Sequence, residues 1–257
     1  MKLYPYLIMF FTIYKKEINR FMRIWIQTIL PPIMNISLYF MIFGKLLNLH
    51  IDKILGFSYI QFIIPGLIMM SIINNSYSNV ASSFFGAKFQ HYIEELLIAP
   101  IPTNLIILGF ISGGIMRSFI ICIILTIISM FFISLHIYSW LFFIIIVILT
   151  SILFSLAGLL NAIFAKNFDD INFIPTFILT PLTYLGGVFY SISVLPIFWQ
   201  KILKINPIYY IISGFRYSYL GIKTVSLFLT INILFYFILI LYLFTFILIK
   251  KGIGIRK

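Results

Sequence analysis

The sequence predicts an all-α membrane protein, and three observations carry that reading. Only 9% of its 257 residues are charged and 62% are hydrophobic, whereas soluble domains carry about 25% charged residues. The apolar residues come in long runs without period-2 alternation, which argues for helices over a closed barrel. The basic residues, 18 against 6 acidic for a net charge of +12, sit at the ends of those runs. Such placement is how positive charge sets membrane topology, so nucleic-acid binding is not needed to explain it. At about 20 residues per crossing, the length holds six spans with short loops. Residues 1–257 then read as a single membrane domain with no room for a soluble catalytic unit.

Residues 1–23 form an amphipathic lead. Leu7, Phe11, Tyr14 and Ile18 recur at helical spacing, with Lys15, Lys16, Asn19 and Arg20 on the other side. A helix of this kind lies in the headgroup plane, either as a basic anchor alone or as an anchor that also touches a partner. It lacks a small-residue cleavage site, so a signal peptide is not expected.

Span 1 covers about 24–44 and contains Pro31-Pro32; a loop of mixed charge follows at 45–56. Span 2 covers about 57–78, with Pro65-Gly66 near its middle, and span 3 about 105–130, with Gly113-Gly114 and Arg117. Span 4 is expected at about 140–164. The loop 165–170 reads AKNFDD, and Asp170 is expected to cap span 5, about 171–190, which Pro175, Pro181 and Gly186-Gly187 interrupt. Residues 191–224 are half apolar and hold Lys201, Lys204, Arg216 and Lys223, with a turn expected at Asn206-Pro207. That segment is long enough to enter the membrane from outside as a re-entrant hairpin, which requires burial against protein. Span 6 covers about 225–249. With both termini cytoplasmic, the basic lead, Lys88, Lys166 and the basic tail outweigh Lys45, Lys53 and the charges of 191–224.

The stretch 61–104 concentrates the polar residues. Asn74, Asn75, Ser76, Ser78, Asn79, Ser82 and Ser83 follow the apolar half of span 2. They either pack helices together, at roughly 0.6 kcal/mol per contact, or line a hydrated path. Phe85, Phe89, Tyr92 and Leu96 then share one helical face, with Lys88, His91 and Glu95 opposite and Glu94 beside them. Pro100 and Pro102 stop that helix, so a surface helix is expected over 84–100. It reads as an interfacial loop or as a docking element, and the adjacent acids favour docking because acids contribute little to topology.

Arg117 would cost at least about 2.5–3.5 kcal/mol facing lipid at mid-bilayer. It is therefore expected to face protein, either in a structural bond to Asn or Ser or in a functional role. Asn74, Asn75 and Arg117, with the helix-breaking Pro181, Gly186 and Gly187, are the candidates for a translocation path or gate.

Catalytic motifs are missing. No GxxxxGK[ST] occurs, and Gly44-Lys45-Leu46 lacks both the phosphate loop and the hydroxyl. His50, His91 and His136 fall in separate loops without metal-ligand spacing, and there is no GxSxG. Cys122 is the single cysteine, so no intrachain disulfide forms. The chain is expected to bind no cofactor or metal and to hydrolyse no ATP by itself.

FIIPGLIMMSIINNSYSNVASSFFGAKFQHYIEELLIAPIPTN (62–104) resembles the second span and coupling helix of ABC transmembrane type-2 permeases. FSLAGLLNAIFAKNFDDINFIPTFILTPLTYLGGVFYSISVLPIFWQ (154–200) and INPIYYIISGFRYSYLGI (205–222) resemble their later halves, closest to the YadH-type inner-membrane branch. The resemblance implies a six-span exporter subunit of the inner membrane that pairs with a second copy and with a separate ABC ATP-binding subunit carrying ATP and Mg. It implies that 84–99 is the coupling helix. Phe85, Lys88, Phe89, Tyr92, Glu94, Glu95 and Leu96 are then the ATPase-coupling interface, and 191–224 forms short re-entrant helices toward the outer side. The cargo implied is lipophilic, or lipid- or glycan-like; membrane lipid is a partner and nucleic acid is not. A self-sufficient secondary transporter or channel is the competing class, but ion coupling normally needs ionisable residues within spans, and Arg117 alone qualifies. A structural or assembly factor is a third class without a distinguishing motif.

Overall fold

The computed structural model describes residues 3–43, 54–133, 137–192 and 195–254. The loop charges Lys45 and Lys53, and His50 and His136, lie outside the described residues. Among those described, regular structure is entirely helical. The helices are α1 (Leu3–Arg23), α2 (Trp25–Met41), α3 (Tyr59–Phe89), α4 (Tyr92–Ile98), α5 (Thr103–Phe132) and α6 (Trp140–Phe164). They continue with α7 (Phe168–Ile174), a π-helical segment (Pro175–Leu179), α8 (Thr180–Leu185), α9 (Ile197–Leu203), α10 (Pro207–Leu220) and α11 (Leu227–Lys251).

Four of these, α3, α5, α6 and α11, are long and apolar enough to cross a membrane, and the bent pair α1–α2 would make a fifth. The expected span 4 coincides with α6. Span 5 does not run as one regular helix: α7, the π segment and α8 follow one another without a gap and stop at Leu185. Pro175 explains the irregularity, since it has no N–H to offer the Ile171 carbonyl four residues earlier. Asn161 of α6 donates to that carbonyl at 3.1 Å, so the broken helix is tied to its neighbour where the ladder fails. Gly187 then takes φ +84°, a left-handed conformation that ends the helical run.

The bundle is built around α3, which packs against α5, α6 and α10. In its most apolar stretch 78% of residues are buried, against 17% for α11. Its 31 residues make a rod of about 46 Å, longer than the roughly 30 Å hydrocarbon layer. The helix thus continues past the expected span end at residue 78, to Phe89. Ser76, which is buried, bonds back to the Ile72 carbonyl of its own helix, and the exposed Ser82 to that of Asn79, so the polar half of α3 stays helical. Close approach to α6 depends on Gly158, where a Cβ would collide with the Tyr77 carbonyl oxygen of α3.

The lead helix α1 meets α2 at a bend of 65°. It packs on protein through residues other than the expected membrane-facing stripe. Leu7 and Phe11 are 47% and 57% exposed, whereas Ile13, Glu17 and Phe21 are buried. Gly109 and Gly113 on α5 face Ile13 and Glu17, so α1 lies against protein through a face shifted round the helix.

Candidate functional site

The first candidate region is the elbow between α3 and α4. The expected single helix over 84–100 is corrected: Phe85, Lys88 and Phe89 belong to the last turns of α3, and Tyr92, Glu94, Glu95 and Leu96 to α4. His91 separates them in a left-handed conformation, φ 60°, and its Nδ1 lies 3.1 Å from Glu94 Oε1. The four apolar residues consequently do not share one face. Phe85 and Leu96 are buried. Phe89 is 63% exposed, and its ring lies 5.4 Å from that of Phe168 at the start of α7.

Lys88 has a specific occupation. Its Nζ donates to the Ile163 and Ala165 carbonyls at 2.7 and 2.8 Å, which caps the C-terminal end of α6 with a positive charge. Lys16 of α1 lies over the Tyr92 ring, 3.6 Å from its centroid. A Cβ at Gly254 would lie 2.9 Å from the Ile163 carbonyl oxygen. The lead helix, the elbow, the α6–α7 turn and the end of α11 thus meet at one end of the bundle. In that turn Asp170 does not precede its helix as the cap: it sits in the first turn of α7 and accepts the Lys166 and Asn167 amides at 2.8 and 3.1 Å. Those two bonds hold its carboxyl below the ordinary carboxylate range.

The second region is a cavity of about 680 Å³ between α2, α3 and α8, with Arg117 of α5 at its polar end. Asn74, Asn75 and Arg117 are brought together here. Pro32 leaves the Thr28 carbonyl of α2 without its helical donor, and Arg117 Nη2 donates to it at 3.2 Å and to Asn75 Oδ1 at 2.8 Å. Asn75 in turn donates to the Ser71 carbonyl at 2.9 Å.

The other gate candidates lie elsewhere. Gly186 and Gly187 border a second cavity of about 330 Å³, with Lys204, Tyr209 and Arg216. Pro181 lines neither cavity and adjoins Thr180 and its hydrogen bond to the Pro175 carbonyl. Arg216, counted from sequence among the outer basic residues, is buried within α10. Its Nε donates to the Phe62 carbonyl at 3.2 Å, its Nη2 to the Gly187 carbonyl at 2.8 Å, and its guanidinium stacks on the Phe62 ring at 3.7 Å. The turn at Asn206-Pro207 is present, with Asn206 accepting from Ile208 N–H and donating to the Leu182 carbonyl.

Glu17 and Arg20 are the residues sequence reasoning left out. Glu17 is fully buried and accepts from Ser83 Oγ at 2.7 Å, and Arg20 Nε lies 3.4 Å from its second oxygen without hydrogen-bond alignment. Arg20 Nη2 also donates to Asn79 through both the backbone carbonyl and Oδ1, each at 2.8 Å. The available signal was the lone acid of a basic lead, placed i to i+3 from an arginine.

The family model described as ABC-2 type transporter matches residues 9–220, a range that includes the elbow, the first cavity and all of the second but Thr224. The chain is 56% identical over 245 residues to the inner membrane transport permease YadH of Escherichia coli strain K12, covering 95% of this chain and 96% of that protein. It is 21% identical over 210 residues to nodulation protein J of Rhizobium leguminosarum bv. viciae, covering 81% of each. Nodulation protein J of Rhizobium meliloti strain 1021 matches at 20% over 223 residues.

Proposed function

The chain belongs to the ABC-2 type transporter family, and on that premise we propose that it is the permease subunit of an ABC exporter. ATP and Mg are bound by a separate subunit, and the chain supplies the route through the inner membrane. The match across 9–220 carries this reading, because it spans the path candidates and the elbow together.

In this reading the whole chain is one domain that crosses the membrane six times. The crossings lie within α2, α3, α5, α6, the α7–π–α8 run from Ile171 onward and α11, and both termini are cytoplasmic. The clustering of Lys16, Lys88 and Lys166 at the end of the bundle that holds the elbow supports that orientation. Helices α9 and α10 make the re-entrant hairpin on the outer side, where Arg216 finds the burial such a segment needs. Two copies pair, and the elbow of each rests on an ATP-binding subunit through Tyr92, Glu94, Glu95 and Phe89. The cargo is lipophilic, or lipid- or glycan-like, and passes between the paired subunits.

Affinity purification of the tagged chain from its native host, with identification and co-expression of any phosphate-loop ATPase that accompanies it, tests the assignment. The expected product is a complex containing equal numbers of the two subunits, with ATP hydrolysis above that of the ATPase alone. Transport by the chain in vesicles without ATP or ATPase would overturn the assignment.

A further inference from the structure

We propose that the cavity between α2, α3 and α8 holds an amphiphile, whose anionic, phosphate-type headgroup sits on Arg117. The proposal deepens the permease reading and rests on it for the idea that the cavity is part of a route. The site itself is argued from charge, polarity and space.

The charge comes first. Among the described residues the ion pairs are Arg20–Glu17 and His91–Glu94, so Arg117 has no carboxylate partner. Its two bonds go to neutral acceptors, the Thr28 carbonyl and Asn75 Oδ1, and its buried Nε has no partner. A guanidinium kept inside a membrane protein without a counter-ion is a costly arrangement, and an anionic ligand would remove that cost. The planar guanidinium also suits a phosphate better than any neutral group.

Polarity then sets the ligand's direction. Helices α2 and α3 run antiparallel here: Arg117 bridges Thr28 and Asn75, and just past the other end of α2 the Phe43 ring lies 6.0 Å from that of Tyr59, the first residue of α3. Gln27 and Thr28 on α2 therefore lie beside Ser71, Asn74 and Asn75 on α3, around Arg117. Towards the other end the lining is more apolar, through Ile36 and Leu38 on α2, Ile42 just beyond it and Leu67 on α3, with Asn35, Tyr39 and Tyr184 the polar side chains there. A free anion would leave that apolar length unused, and a neutral lipid would leave the guanidinium unpaired. An anionic amphiphile satisfies both, and about 680 Å³ falls within the range of about 300–1,000 Å³ typical of ligand pockets.

Binding of oleoyl lysophosphatidate, oleoyl lysophosphatidylcholine and inorganic phosphate to the purified full-length protein in neutral detergent tests the site. Lysophosphatidate is expected to bind at least tenfold more tightly than lysophosphatidylcholine, and inorganic phosphate alone is expected not to displace it. Arg117→Gln is expected to lose that preference and Arg117→Lys to keep most of it. Asn74→Asp, which leaves Arg117 and its two protein bonds in place, is expected to weaken lysophosphatidate at least tenfold while monodispersity and melting temperature stay near wild type. Equal binding of the two lysolipids, or preference for lysophosphatidate retained in both Arg117→Gln and Asn74→Asp, would overturn the proposal. Displacement by inorganic phosphate would assign the site to a free anion and overturn the amphiphile. No ATPase takes part, so a failure here is distinct from failure of the permease reading.

Discussion

Ser83 Oγ of α3 donates to Glu17 Oε1 of α1 at 2.7 Å, and both side chains are buried. The helix read from sequence as a surface anchor is thereby fastened to the central helix of the bundle. Arg20 completes the contact by pairing with Glu17 and bonding Asn79. Arg20 is partly exposed and keeps its bonds to Asn79, so removing Glu17 costs less than the roughly 3–5 kcal/mol of a fully buried pair, with the loss of the Ser83 bond added. Glu17→Ala is therefore expected to lower the melting temperature of the purified protein. Glu17→Gln can still accept from Ser83 and should lose less than half as much. Equal melting of wild type and Glu17→Ala would show that the pair holds nothing together.

Which parts of this arrangement could be read in advance follows from the kind of signal. Membrane character and the extent of α6 come from local hydropathy, which a single stretch of sequence carries. The breaks at Pro175 and Asn206-Pro207 come from backbone chemistry that is equally local. The partners were not legible, because they depend on which helices meet. Nothing near Pro32 announces that Arg117, distant in sequence, takes the freed Thr28 carbonyl. Nothing near Pro175 points to Asn161. The protein-packed face of α1 was not legible for the same reason: Gly109 and Gly113 of α5 select Ile13 and Glu17, and periodicity within α1 contains no information about α5. The elbow was read as one helix because Gln90-His91 is compatible with helical periodicity, and only the left-handed backbone of His91 breaks it.

Two glycines of α3 and α6 separate packing from propensity. A Cβ at Gly158 would collide with the Tyr77 carbonyl oxygen, whereas one at Gly86 would meet nothing within 4 Å. Gly158→Ala must push α3 and α6 apart and is expected to destabilise by about 1–3 kcal/mol. Gly86→Ala improves helix propensity in open space and is expected to stabilise by up to about 1 kcal/mol. Thermal unfolding in one detergent compares them, and a shift of the same sign and size for both would contradict this packing.

Asp170 makes the α6–α7 turn sensitive to acid. Its carboxyl is held below its ordinary value of 3.8 by the Lys166 and Asn167 amides. A depressed carboxyl contributes stability that is fully present above the unfolded value and lost as pH falls through the folded one. The wild type is therefore expected to melt above Asp170→Asn near neutrality, with the gap closing in acid below the ordinary carboxylate range. A gap that stays constant from neutral pH to that acid range would mean that the amides do not depend on the charged form.

The elbow allows coupling to be separated from stability. Lys88 caps α6 through two carbonyls, and hydrogen bonds to a charged group are worth about 1.5–3 kcal/mol. Lys88→Met is thus expected to lower the melting temperature whether or not the ATPase is present. Glu95 is exposed and Glu94 is partly exposed on α4, so reversing both to lysine removes little from the fold. If they face basic residues on the ATP-binding subunit, the double reversal should weaken that association at least tenfold, about 1.4 kcal/mol. Partner-dependent ATP hydrolysis should fall with it while melting of the isolated permease stays near wild type. Undiminished hydrolysis and transport in the double reversal would remove α4 from the interface, and an unchanged melting temperature in Lys88→Met would remove the α6 cap.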